Sequence, residues 1–249
     1  VGYAIFAVRT ADEDDGRLFP VIGDDQSPVE LEPLDGSVDR VVSEGFEVSE
    51  LVAGGWKHLM KLESKADILV TDARFVVACT KFTKGGGWVG FGAGAFVALA
   101  ANGVSKARAA NRRRGKMLVG QVRYAWLRSV GYMPRRGWGS KEELRLGVKV
   151  KTESGETRDL FLDVSLPKHV NSGELARAIV RRAAAYRLAH TGVDTEEERQ
   201  ALTELIDAAR LPAPEAGKFA MYSMPRYFFV SAASAYPDAA SPVGAPAAS

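Results

Sequence analysis

The sequence predicts a segregated α+β fold, with antiparallel strands first and helices after them. Three observations carry this. β-Branched runs and period-two alternation mark residues 67–82, 117–132, 144–151 and 160–164. Helix-capping signals occur only from Asn171 onward, and no βαβα alternation separates the two kinds of segment. With 249 residues, 46% of them hydrophobic and 26% charged, the chain is long enough to bury a core and too apolar for wholesale disorder.

The elements follow in order. Tyr3–Val8, Leu18–Ile22 and Val29–Leu31 read as short strands in an acidic arm punctuated by Gly, Asp and Pro. Leu51–Leu62 has a partly helical pattern broken by Gly54-Gly55 and is left unassigned. Asp67–Thr71 and Arg74–Phe82 are strands joined by the Asp72-Ala73 turn. Met117–Tyr132 is one long strand or two with a bend, with Val119, Tyr124, Trp126, Leu127 and Val130 as core. Leu144–Lys151 and Leu160–Val164 alternate strictly and form a hairpin. Asn171 with Glu174 opens a helix to about His190, whose buried stripe is Leu175, Ile179, Ala183 and Tyr186. Thr195 with Glu198 opens a second, through Ala209, stopped by Pro212 and Pro214. Phe219–Ser231 is aromatic and Met-rich and needs a packing surface as strand or helix. Residues 232–249, rich in Ala, Pro and Ser, read as a disordered tail.

The stretch from Lys65 through Ile68-Leu69-Val70-Thr71-Asp72-Ala73-Arg74 to Val77 resembles a hairpin common in bacterial PH-like and GRAM-like domains. The resemblance covers roughly residues 50–190. It implies an antiparallel β-barrel or sandwich capped by a C-terminal helix, and a scaffold that binds phosphoinositides, other lipids, peptides or nothing small. The domain reading is then an acidic arm over 1–50 and a PH-like domain over 51–190 with an insertion at 83–116. An accessory helix and aromatic segment over 191–231 and the tail complete it.

Charge is small in sum, +2, and strongly segregated. Residues 1–80 carry 7 basic and 16 acidic side chains, a net of −9, whereas residues 81–182 carry 21 and 7, a net of +14. Such asymmetry points to an anionic partner, to internal neutralisation by the arm, or to both. Lys84 is followed by twenty-one uncharged residues, of which twelve are Gly or Ala. That content weakens a bilayer span, and a span would separate strands that should pair. Residues 84–105 are therefore expected to form a helical surface insertion. Gly90, Gly94 and Ala98 form a small-residue row suited to close helix contact, and so to self-association into a homo-oligomer.

The candidate anionic-ligand site is Lys81, Lys84, Arg112, Arg113, Arg114 and Lys116, with Arg135 and Arg136 from a second basic loop. Trp88, Phe91 and Trp138 are the candidate membrane or partner contacts. Basic side chains and inserting rings together suit an anionic lipid surface or an acidic protein. The reading is a cytoplasmic regulatory module, peripheral at the inner face of the membrane. The Arg177, Arg181, Arg182 and Arg187 set is expected to bridge to the acidic arm.

Other classes find less support. Gly85-x-Gly87-x-x-Gly90 matches a dinucleotide fingerprint but lacks the parallel βαβ surroundings, which leaves nucleotide binding as a weaker alternative. No RNP, helix-turn-helix or zinc-finger pattern supports nucleic acid. One cysteine, Cys79, and three scattered histidines make neither a disulfide nor a common zinc site, so no metal or cofactor is expected. No motif orients a nucleophile, and His190 is expected as a core residue, so no enzyme activity is predicted.

Overall fold

The computed structural model describes residues 5–9, 21–22, 28–29, 38–80, 117–137, 140–151, 155–208 and 210–230. The strands are β1 (Phe6–Arg9), β2 (Val21–Ile22), β3 (Pro28–Val29), β4 (Asp39–Ser43), β5 (Gly45–Val52) and β6 (Gly55–Leu62). There follow β7 (Ala66–Val70), β8 (Arg74–Cys79), β9 (Met117–Arg123), β10 (Leu127–Met133), β11 (Glu142–Lys151) and β12 (Thr157–Leu166). Helices α1 (Ser172–His190) and α2 (Glu196–Ala208) precede the last strand, β13 (Ala220–Ser223). One sheet has the order β1-β9-β8-β7-β4 and the other β13-β10-β11-β12-β5-β6, while β2 and β3 pair with each other among the described residues. All pairings between these strands are antiparallel. The class is α+β, as predicted.

Three corners carry the chain between the sheets. Glu44 alone separates β4 from β5, and residues 63–65 separate β6 from β7. At the first corner Gly45 has φ +154°, and a Cβ there would lie 2.6 Å from the Leu62 carbonyl oxygen, so only glycine fits. The third corner, Tyr124-Ala125-Trp126, is wholly buried. Closure fails at this corner. β9 pairs with β8 and β1, and β10 with β11 and β13, so the two consecutive strands do not pair with each other. The sheets are not closed into a barrel. They share one core, which takes Phe75, Val77 and Val122 from the first sheet and Val48, Leu146 and Leu162 from the second.

Helix α1 lies on β10 and β11, and α2 packs against α1. The capping signal is real: Asn171 Oδ1 accepts from the Gly173 and Glu174 N–H groups at 3.0 and 3.1 Å. Leu175, Ile179, Ala183 and Tyr186 are all buried, as the stripe predicted. His190 is not a core residue. It is exposed and stacks on Tyr186 with ring centroids 4.8 Å apart. Residues 51–62 are not helical, because Gly54 at φ +101° turns them into the β5–β6 hairpin. Phe219–Val230 supplies edge strand β13 and then an extended run, whose Val230 N–H donates to Lys149 O at 2.8 Å. Residues 39–52 belong to both sheets and not to a separate arm.

Of the helix arginines, Arg182 bridges to Asp39 within residues 1–50, as expected, while Arg181 and Arg187 bond backbone carbonyls of the fold. Arg182 pairs with Asp39 at 3.0 Å and Asp72 at 3.5 Å, and Arg181 Nε donates to Ile206 O at 2.7 Å. Arg187, fully buried, donates to the corner carbonyls of Tyr124 (2.8 Å from Nη2) and Leu127. Burial pulls its pKa down from 12.5 to about 9, so it remains cationic at neutral pH.

Candidate functional site: an apolar and basic sheet end

Of the sequence-derived site, only Arg135 and Arg136 are placed. Lys81, Lys84, Arg112, Arg113, Arg114 and Lys116 lie outside the described residues, as do Trp88, Phe91 and Trp138. So do the Gly/Ala row and the Gly85–Gly90 motif. The β10–β11 loop that carries Arg135 and Arg136 is tied down locally. Arg135 N–H donates to Glu142 Oε1 at 2.9 Å, and Arg136 Nη2 donates to Pro214 O at 2.9 Å. Burial alone would raise the pKa of Glu142. Hydrogen bonds from Ser172 Oγ and from the Arg135 and Ser172 N–H groups outweigh it and hold the carboxyl below its ordinary value.

Among the described residues, three of the four exposed large apolar side chains lie at the other end of the six-stranded sheet, at the β5–β6 hairpin tip, the fourth being Val42 on β4. Leu51 is 46% exposed, Val52 39% and Trp56 44%. β6 is the edge strand of that sheet, and Leu51 pairs with Trp56, and Val52 with Gly55, around the two-residue turn Ala53-Gly54. Trp56 is nevertheless fixed. Its ring meets Phe161 edge-on at 4.9 Å, and the Arg145 guanidinium stacks 4.7 Å from its centroid.

Cations ring this tip. Lys57 follows Trp56 on β6, Arg158 and Arg128 begin β12 and β10, and Lys149 and Lys151 end β11. Carboxylates take part of the charge: Glu50 lies 3.8 Å from Lys57 and 3.6 Å from Arg158, and Asp159 lies 2.5 Å from Arg128. With Glu156 that makes five cations against three carboxylates among the described residues. The sequence reading missed this tip because it left 51–62 unassigned. The available signal was Val52-Ala53-Gly54-Gly55-Trp56, a glycine turn flanked by apolar residues.

On the same outer face His58 Nδ1 bonds Glu47 Oε1. Burial, with Asp163 and Glu47 nearby, raises the pKa of Glu143 despite Arg145 and Lys141. Among the described residues no three His, Cys, Asp or Glu side chains converge as metal ligands, and no helix is long and apolar enough to cross a membrane. No protein-family model, curated protein or solved structure matches the chain.

Proposed function

We propose that this protein is a non-enzymatic binding module that attaches to an anionic membrane surface, as a cytoplasmic peripheral protein, and that the β5–β6 tip makes the contact. One observation carries the reading: a rigidly held, half-exposed Trp56 stands beside Leu51 and Val52 inside a ring of lysines and arginines. Three half-exposed side chains of this size contribute about 3 kcal/mol on leaving water. Each net cation near an anionic surface adds about 1 kcal/mol. The sum, about 5 kcal/mol, corresponds to a dissociation constant near 10⁻⁴ M, a reversible attachment. The PH-like resemblance supports the same reading, since strands followed by a helix lying on them are the order it implies. Lys81, Lys84, Arg112–Arg114 and Lys116 remain proposed contacts of the same basic character.

Co-sedimentation with neutral and anionic vesicles at 0.1 and 0.5 M salt tests the proposal. The wild type should pellet with anionic vesicles at low salt only. Trp56→Ala with Leu51→Ser, and separately Lys149→Ala with Lys151→Ala, should each weaken pelleting several-fold in chains that still fold. Absence of pelleting, together with a mass by light scattering that rises with concentration, would favour the self-associating alternative. Binding to an acidic protein but to no vesicle would replace the membrane with a protein partner.

A further inference from the structure

Two arginines meet in a seam formed by the last turn of α1, the α1–α2 connection, the Tyr124-Ala125-Trp126 corner and the run after β13. Arg187 is 0% exposed and Arg226 is 6% exposed. Arg187 places Nε and Nη2 on the Tyr124 carbonyl, at 3.1 and 2.8 Å, and Nη2 also on that of Leu127. Arg226 Nη1 donates to the Gly192 carbonyl at 3.0 Å and to both Glu198 oxygens, at 3.3 and 3.1 Å. Its Nη2 lies 3.4 Å from Asp194. The Phe228 N–H, bound to the Ala125 carbonyl at 2.8 Å, holds the run against the corner. One nitrogen of each guanidinium is then left buried without an acceptor: Arg187 Nη1 and Arg226 Nε. Buried donors of this kind call for a partner.

The charge shows the same gap as the hydrogen bonds. A buried guanidinium is costly unless an anion pairs with it. Arg226 has Glu198 and Asp194. Arg187 donates to carbonyls alone, and the carboxylate that favours its charge, Glu198, is already held by Arg226. Burial, and Arg226 close by, both act against the Arg187 cation. A water molecule would satisfy the donors but not the charge, and its own hydrogens would need acceptors. The Tyr124 carbonyl already accepts twice from Arg187 and once from the Leu127 N–H. We propose that this seam binds a small monatomic anion, chloride, held by Arg187 Nη1 and Arg226 Nε. A halide accepts from several donors, donates to none and supplies the missing charge. A polyatomic oxyanion suits the seam less well, because its outer oxygens would need further buried donors. The ion would tie the corner and α1 to the run after β13, and the residues of the hairpin tip take no part in it.

Thermal unfolding of the full chain tests this, with gluconate replaced stepwise by chloride, or by sulfate, at equal ionic strength. Chloride should raise Tm by about 3 °C and then level off, as binding to one site in the folded state requires. Sulfate, which strengthens burial generally, should give no such plateau. Arg187→Met should abolish the chloride rise. Arg226→Lys keeps the charge that Glu198 pairs with but lacks the Nε–H, and should increase the half-saturating chloride concentration several-fold. A Tm that chloride leaves unmoved overturns the proposal and assigns the two donors to solvent. So does an equal plateau in sulfate, or a chloride response unchanged in Arg226→Lys. If Arg187→Met does not fold, Arg226→Lys and the chloride series decide.

Discussion

Arg145 and Asp163 face each other across β11 and β12, with Nε 2.6 Å from Oδ1 and Nη2 2.7 Å from Oδ2. The pair holds the guanidinium plane between the rings of Trp56 (4.7 Å) and Phe219 (4.0 Å). One cation thereby ties the β5–β6 hairpin, the central hairpin and the segment leading into β13 over the outer face of the six-stranded sheet.

Arg145→Lys keeps the charge but loses the planar fork and both stacks. It should cost about 1–2 kcal/mol, read as a lower urea midpoint with an unchanged m-value. The near-ultraviolet circular dichroism of Trp56 should weaken in parallel. An unchanged midpoint would mean the stack contributes nothing to stability.

Gly45→Ala forces a Cβ onto the Leu62 carbonyl in a positive-φ conformation and should cost about 2–3 kcal/mol. Gly54→Ala, also at positive φ but with open space where the Cβ would sit, should cost less than half as much in the same denaturant series. Equal losses would show that the close approach at the corner is not what selects glycine.

Glu142 binds Ser172 Oγ at 2.5 Å and the Ser172 N–H at 3.1 Å, joining the β10–β11 loop to the start of α1. Its folded pKa lies below the ordinary 4.5. An acid lowered in the folded state contributes stability that is complete above its unfolded pKa and is lost as pH falls through the folded one. Glu142→Gln should therefore lower Tm at pH 7, with the deficit against wild type narrowing below about pH 4. A deficit constant from pH 7 to pH 3 would assign the loss to geometry and not to charge.

Arg187→Met removes the donor to the Tyr124 and Leu127 carbonyls and should cost about 2–4 kcal/mol. Thermal unfolding reads the loss. If Arg187→Met is as stable as wild type, the buried cation does not hold the corner between the sheets.

Local chemistry was legible along the chain. The Asp67–Cys79 hairpin, the Leu144–Val164 hairpin, the Asn171 cap and the α1 stripe all depend on periodicity, turn residues and hydrogen bonds within a few positions. The Leu51–Leu62 hairpin was not legible in the same way, because its spacing also fits a helix. The choice falls to Val48 and Phe46, which need a place in a sheet beside β12. The basic character of residues 81–136 could be read directly, but the exposed Trp56 could not, since exposure depends on which strand ends up at the edge of the sheet.

The sequence by itself determined the α+β order, the two capped helices and the segregation of charge, because each follows from residue types close together in the chain. The tertiary structure alone decided that β9 and β10 part at a buried corner, so that no barrel closes. It also decided that Arg187 is spent on that corner and that Arg74 and Arg123 are buried side by side. These outcomes depend on pairings between residues as many as 63 positions apart. No local pattern encodes which face of a strand a distant segment will cover, and burial there sets what each charge must do.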